Sequence, residues 1–232
     1  ALVCAGALEL AAGVDLVRFR GKAMQEAVPA GAGAMAAILG LDDSKVAEAC
    51  AEAALGAVVE PVNFNAPGQV VVAGERSAVE RTAEVARRLG AKRAILLSVS
   101  VPAHSSLMGP AAARLRERLA TLELAVPRIA YVSAVDAERH SDPADIRKVL
   151  ERQIVSPVRW QDTVRALVSN GHRTLIECGP GKVLTALNRR IARNAECLPL
   201  EDSAAIVAAL DACRGASERV SREEQAALRG DR

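Results

Sequence analysis

A chain of 232 residues that is 50% apolar and 25% charged is long enough to bury a real core, as one large domain or two small ones. With 30 Lys+Arg against 28 Asp+Glu the net charge is only +2, no basic stripe suggests a nucleic-acid partner, and 2% aromatics argue against base-stacking or carbohydrate-type aromatic clefts. No apolar run reaches the ~18–20 residues needed to span a bilayer, and five scattered cysteines without a CxxC pair fit neither a disulfide framework nor a zinc site, so a reduced cytoplasmic compartment is expected.

The opening ALVCAGALEL has no basic n-region and no start methionine, and it reads as the inside of an apolar helix. A chain that begins within a domain is expected. Residues 1–28 are predicted helical, with Gly13 interrupting and Asp15 starting a second helix that Pro29 ends. AMAAILGL (34–41) is a short apolar run. Asp42-Asp43-Ser44 then offers N-cap chemistry for a helix to about Leu55. VVEPVNFN (58–65) and QVVVAG (69–74) are strands joined at Pro67-Gly68. Ser77 is expected to cap a helix through Leu89 that Gly90 closes, and AKRAILLSVSV (91–101) reads as a strand. The order βαββαβ is a split-βαβ, ferredoxin-like pattern.

Beyond Pro102 the rhythm changes. A helix is expected over about 105–122, a strand at RIAYVSA (128–134), a polar loop through Pro143, and helices over about 144–153 and from Trp160 to Ser169. TLIECG (174–179) is a strand that ends in Gly179-Pro180-Gly181, followed by a helix from Lys182 to about Asn194. The tail 216–232 is charged, nearly free of large apolar residues, and reads as flexible.

Only three histidines narrow the search for chemistry. His140, in AERHSDP, reads as a solvated loop residue, and His172, after Asn170-Gly171, as a helix-terminal cation. His104 lies where an apolar strand gives way to a helix after Pro102, a place where α/β folds put general bases. No carboxylate or HxxxH cluster accompanies it, so no metal is expected. Ser98, Ser100, Ser105 and Ser106 flank it, but no G-x-S-x-G elbow occurs in the chain. Arg20, with Arg18 and Lys22, forms either an exposed basic face or a guanidinium fork for a substrate carboxylate. GPGK at 179–182 lacks phosphate-loop spacing and reads as a packing turn.

Taken together, ALVCAGAL, RGKAMQEAVPAGAGAMAAILGL, PVNFNAPGQVVVAG, GAKRAILLSVSVPAHSSLM, SPVRWQDTV and ECGPGKVLTALNRRI resemble, in collinear order over residues 1–192, the bacterial malonyl-CoA:acyl-carrier-protein transacylases. The resemblance implies an α/β-hydrolase-like large domain (1–30 and 102–215) with an inserted ferredoxin-like subdomain (31–101). It implies ping-pong transfer of malonyl from coenzyme A to acyl carrier protein through an acyl-serine, in fatty acid biosynthesis. His104 matches the family's catalytic histidine, and Gln153 the glutamine whose backbone carbonyl orients it. Arg20 matches the arginine that pairs with the malonyl carboxylate. Asn63 and Asn65 match residues lining the acyl cleft, and Met24, four residues after Arg20, is expected to face the same cleft. The implied partners are malonyl-CoA and acyl carrier protein, with no cofactor, no metal, no nucleic acid and no membrane, in a protein that is a monomer when full-length.

The family's nucleophile sits in a G-H-S-x-G-E elbow, and a G-Q-G motif supplies an oxyanion-hole donor; neither is present in this sequence. Residue 1 falls a few positions after the expected serine, so the chain resembles the last two-thirds or so of the family, and poor folding and no activity are expected of it in isolation. Two other readings stay open: an inactive module that docks acyl carrier protein or coenzyme A, and an acyltransferase domain for another acyl group.

Overall fold

Residues 1–8 run as irregular turns onto α1 (Leu10–Gln25), one continuous helix where two are expected. Gly13 does not break it. A Cβ there would lie 2.8 Å from Val3 Cγ2, so the glycine lets the opening segment cross close against the helix. The helix buries Gly13, Ala23 and Met24 and leaves Leu10, Val14 and Val17 exposed. The computed structural model describes residues 1–99 and 101–215; the expected tail 216–232 lies outside them.

The next elements follow the expected order: β1 (Gly33–Leu39), α2 (Asp43–Ala54), β2 (Val59–Ala66), β3 (Gln69–Glu75), α3 (Arg76–Arg88) and β4 (Arg93–Leu96). They form an antiparallel sheet in the order β2-β3-β1-β4. The two helices cover one face, where Ile38, Val46, Val70, Val72 and Val79 are almost wholly buried. Each such side chain stabilises the fold by roughly 1.5–3 kcal/mol. The other face carries Met35, Val62, Val71 and Ala73, with Ala103 packed against them. Ser77 is not a cap: α3 begins at Arg76 behind Glu75, and neither that residue nor Asp42 before α2 makes a side-chain cap bond. The last strand is shorter than its apolar run because only Arg93–Leu96 find partners on β1.

A 3₁₀ turn (Ser106–Met108) leads into α4 (Gly109–Ala120), which packs between α1 and α5 (Pro143–Arg152). Met108, Leu115, Leu119, Ile146 and Ile154 form a second core with Leu2, Leu8 and Met24. Between α4 and α5 runs a two-residue-per-strand hairpin, β5 (Tyr131–Val132) with β6 (Arg139–His140), where a longer strand and a polar loop are expected. The chain continues through α6 (Trp160–Ser169), β7 (Thr174–Glu177), α7 (Val183–Ile191), β8 (Glu196–Pro199) and a helix over 203–215.

The architecture is α/β and divides into two compact units, Ala1–Thr163 and the residues from Val164 onward. In the second unit β7 and β8 pair in parallel. The GPGK segment is a turn whose helix is held by Glu177: its carboxylate accepts the Leu184 and Thr185 N–H groups at 3.0 and 2.7 Å and the Thr185 hydroxyl at 2.7 Å. No described helix is long and apolar enough to cross a membrane.

His140 departs most from expectation. It is buried, 8% exposed, and fastens the hairpin to α5. Its Nδ1 meets Asp145 Oδ2 at 2.5 Å and its Nε2 meets Asp136 Oδ1 at 3.1 Å. Burial alone would lower its pKa, but hydrogen bonds to Asp145 and Asp136 and their charges outweigh this and raise it above 6.5. A histidine with a raised folded pKa contributes stability that is complete below the unfolded pKa and is lost as pH climbs through the folded one. Melting temperature should therefore fall as pH rises above 6.5, and His140→Gln should flatten that slope. Equal slopes in the two proteins would remove the clamp.

Candidate functional site

Backbone accounting at the end of α5 shows how the site is built. The last carbonyls of a helix have no intrahelical partner. Here the Ile154 and Val155 N–H groups return to Glu151 and Arg152, each at 3.1 Å, and the Gln153 carbonyl is left over. It accepts the His104 Nδ1–H at 2.8 Å. A carbonyl only accepts, so Nδ1 carries the proton and Nε2 is the basic nitrogen. The acceptor is also the negative end of the α5 dipole, which favours a positive charge on the ring.

His104 reaches this bond from a tight turn. Its φ is 66°, a left-handed conformation that costs roughly 1–3 kcal/mol in a residue other than glycine. The turn is over-determined. The buried Ser105 donates its hydroxyl to the Pro102 carbonyl at 2.7 Å, Met108 N–H closes on Ser105 at 3.0 Å, and Glu60 Oε2 on β2 accepts the Ser106 N–H at 2.7 Å. Burial lowers the His104 pKa most, the Gln153 and Ser156 backbone oppose that, and the Arg20 charge lowers it further. The result is an imidazole below 6.5, neutral and able to accept a proton at physiological pH.

Arg20 lies half-buried on α1 and close enough to His104 to shift it. Burial lowers its own pKa from 12.5, yet a guanidinium stays charged. No carboxylate among the described residues pairs with it. A partly desolvated cation without a counter-ion is a receptor for an anion. Phe19 beside Arg20, Ala103 beside His104 and Ile154 beside Gln153 all belong to the second core, so one apolar cluster supports all three groups.

The structure thus brings His104, Gln153 and Arg20 together. Met24 is buried, 7% exposed, within that same cluster. Asn63 and Asn65 are half-buried on β2, and neither side chain has a hydrogen-bond partner among the described residues. The backbone around Asn63 is bound to the strand-like segment after Gln153, with Phe64 N–H to the Val158 carbonyl at 2.9 Å and Val158 N–H to the Val62 carbonyl at 2.8 Å. Sequence reasoning missed Glu60, whose partner is 46 residues away and carries no local signal. His172 is exposed. No group of three or more metal-ligating side chains exists among the described residues.

The acyl transferase domain family model matches residues 1–212. Malonyl CoA-acyl carrier protein transacylase of Salmonella typhimurium is 50% identical over 210 residues, covering 90% of this chain and 68% of that protein. The Escherichia coli K12 protein of the same name is 50% identical over 211 residues, covering 91% and 68%. Among solved structures, an acyl carrier protein S-malonyltransferase from Vibrio cholerae superposes with a TM-score of 0.88 at 50% identity, covering 90% of this chain and 68% of its own. A malonyl-transacylase in complex with its type II PKS acyl-carrier protein gives 0.90 at 46% identity, covering 91% and 68%.

The electrostatic coupling is open to direct measurement. Histidine side-chain NMR should place the His104 pKa below 6.5, and Arg20→Ala should raise it by removing a neighbouring cation. A His104 pKa unmoved by that substitution would separate the two residues.

Proposed function

This chain belongs to the acyl transferase domain family, alongside the malonyl CoA-acyl carrier protein transacylases, and on that premise we propose that it transfers a malonyl group from coenzyme A to the phosphopantetheine thiol of acyl carrier protein, supplying fatty acid biosynthesis. The observation that carries this reading is a histidine whose tautomer is held by a backbone carbonyl beside a guanidinium with no carboxylate partner among the described residues.

The steps follow from those groups. A serine hydroxyl, from the G-H-S-x-G-E elbow that these 232 residues do not contain, gives its proton to His104 Nε2 and attacks the thioester carbonyl. The C–S bond breaks, and the imidazolium returns the proton to the coenzyme A sulfur. The carrier protein's thiol then gives its proton to His104, its sulfur attacks the malonyl ester, and the serine oxygen leaves with that proton. Arg20 holds the free malonyl carboxylate in a bidentate fork through both halves. Asn63, Asn65 and Met24 line the acyl cleft. The same reading assigns an α/β-hydrolase-like domain over 1–30 and 102–215 and a ferredoxin-like subdomain over 31–101. The element order βαββαβ and strand order β2-β3-β1-β4 support the latter. The place of work is the cytoplasm, without nucleic acid or membrane.

In the enzyme extended upstream to include the elbow, His104→Ala should lower turnover by ~10²–10⁴-fold with malonyl-CoA binding nearly unchanged. Removing one partner of a buried ion pair costs ~3–5 kcal/mol, or roughly two to three and a half decades of specificity. Arg20→Ala should therefore lose most malonyl transfer while acetyl transfer stays level or rises, with Arg20→Lys between. The measurement is kcat/KM for both thioesters. Equal losses for the two make Arg20 a structural arginine, and an extended protein that binds carrier protein without transfer makes the domain a docking module.

A further inference from the structure

The His140 cluster lies at one side of α5 and the His104 contact at its end, and one carboxylate links them. Asp136, in the β5–β6 turn, is 20% exposed and uses both oxygens. Oδ1 accepts the Glu138 N–H at 3.2 Å and meets His140 Nε2 at 3.1 Å, while Oδ2 pairs with Arg152. Arg152 is the last residue of α5, and the next residue is Gln153. His140 in turn holds Asp145, in the first turn of the same helix, whose N–H is capped by Asp142 at 2.8 Å. The hairpin therefore grips α5 at both ends. The chain beyond Gln153 comes back to the same turn, with Arg159 N–H on the Ala134 carbonyl at 2.7 Å.

An isolated, half-exposed arginine pair would contribute little. This one differs because its carboxylate is already fixed by a backbone N–H and a buried imidazole, so Arg152 docks on a rigid acceptor. We infer that Asp136 is a positioning residue for acyl transfer: by holding Arg152 it keeps the Gln153 carbonyl in line with His104 Nδ1, and so keeps Nε2 aimed at the nucleophile. This rests on the proposed malonyl transfer for its kinetic consequence, though not for its geometric one. Asp136 touches neither His104 nor Arg20; its action passes through α5.

The test uses the extended enzyme with Asp136→Asn, Arg152→Gln and the double variant, with Glu138→Gln as the control. Glu138 is an exposed carboxylate in the same turn, so it reports what loss of one negative charge does without loss of the link. A displaced general base costs up to roughly 10²-fold. Asp136→Asn should lower kcat ~10-fold to 10²-fold with KM for malonyl-CoA unchanged. The acid limb of the kcat/KM profile should move to lower pH, because the Gln153 bond raises the His104 pKa. The double variant should be no worse than the worse single one, and Glu138→Gln should resemble wild type. The His104 Nδ1–H resonance, read by NMR without any turnover, should shift or broaden in Asp136→Asn. Losses that track only the folded fraction, an unmoved acid limb and resonance, or an equal effect of Glu138→Gln would overturn the positioning role. Should Asp136→Asn fail to fold, Arg152→Lys, which keeps the charge and loses the guanidinium N–H that meets Asp136 Oδ2, takes the same readouts. If the extended enzyme transfers no malonyl, or does so without His104, the functional reading fails while the NMR arm still decides the link.

Discussion

The hydrogen bond from His104 Nδ1–H to the Gln153 carbonyl joins two segments 49 residues apart, and much of the first unit is arranged to deliver its two ends. On the histidine side, Pro102, Ser105 and Glu60 hold a turn that forces a left-handed backbone on a residue with a full side chain. On the glutamine side, α5 ends so that one carbonyl is unclaimed, and the segment that follows is tied to β2 at Val158 and to the hairpin at Arg159. Strain of roughly 1–3 kcal/mol at His104 persists because its ring, the Ser105 hydroxyl and the Ser106 N–H each have a fixed partner. The apolar cluster beneath carries Ala103, Ile154 and Phe19 together, so the imidazole, the carbonyl and the guanidinium rest on one packed body.

Elements with a strong period were legible in the sequence. The βαββαβ segment is readable because Val46, Ala49, Cys50 and Ala53 recur at helical spacing and the strands are short apolar runs bounded by turn residues. Cys50 behaves as a small buried hydrophobe, its thiol pushed up to about 12 by burial. What failed were details that depend on a neighbour. Gly13 looks like a helix breaker until Val3 is seen against it. The run 91–101 looks like one strand until only Arg93–Leu96 are found paired, on Ala36–Leu39 of β1. Asp42 and Ser77 do not make the cap bonds expected of them, since propensity names the residue type and tertiary packing decides its use.

The site divides along the same line. His104 stood out on its own, because a histidine after a proline at a strand end is a local pattern. Arg20 remained a choice between an exposed face and a fork, and only burial without a counter-ion separates them. Gln153 was reachable only through resemblance: the acting atom is a backbone carbonyl, which every residue has, so no side-chain chemistry marks it. His140 was misread for a related reason. AERHSDP has the composition of a solvated loop and is mostly exposed, and pairing with Asp136 and Asp145 is what lets its one histidine be buried.

A carbonyl in place of a carboxylate behind His104 has a consequence for the other half of the site. An aspartate there would fix the same tautomer and stabilise the imidazolium more strongly. It would also place a full negative charge within the field that couples His104 to Arg20. On the proposed reading, that charge would compete with the substrate carboxylate for Arg20 and erode the discrimination between malonyl and acetyl. The end of α5 presents only about half a unit of negative charge, enough to orient the ring and too little to capture the guanidinium. With burial and Arg20 both lowering its pKa, the imidazole rests neutral with Nε2 ready to accept a proton. An imidazolium facing a dipole, rather than an ion, gives that proton back readily, which acyl transfer in two symmetric halves requires of it twice per turnover.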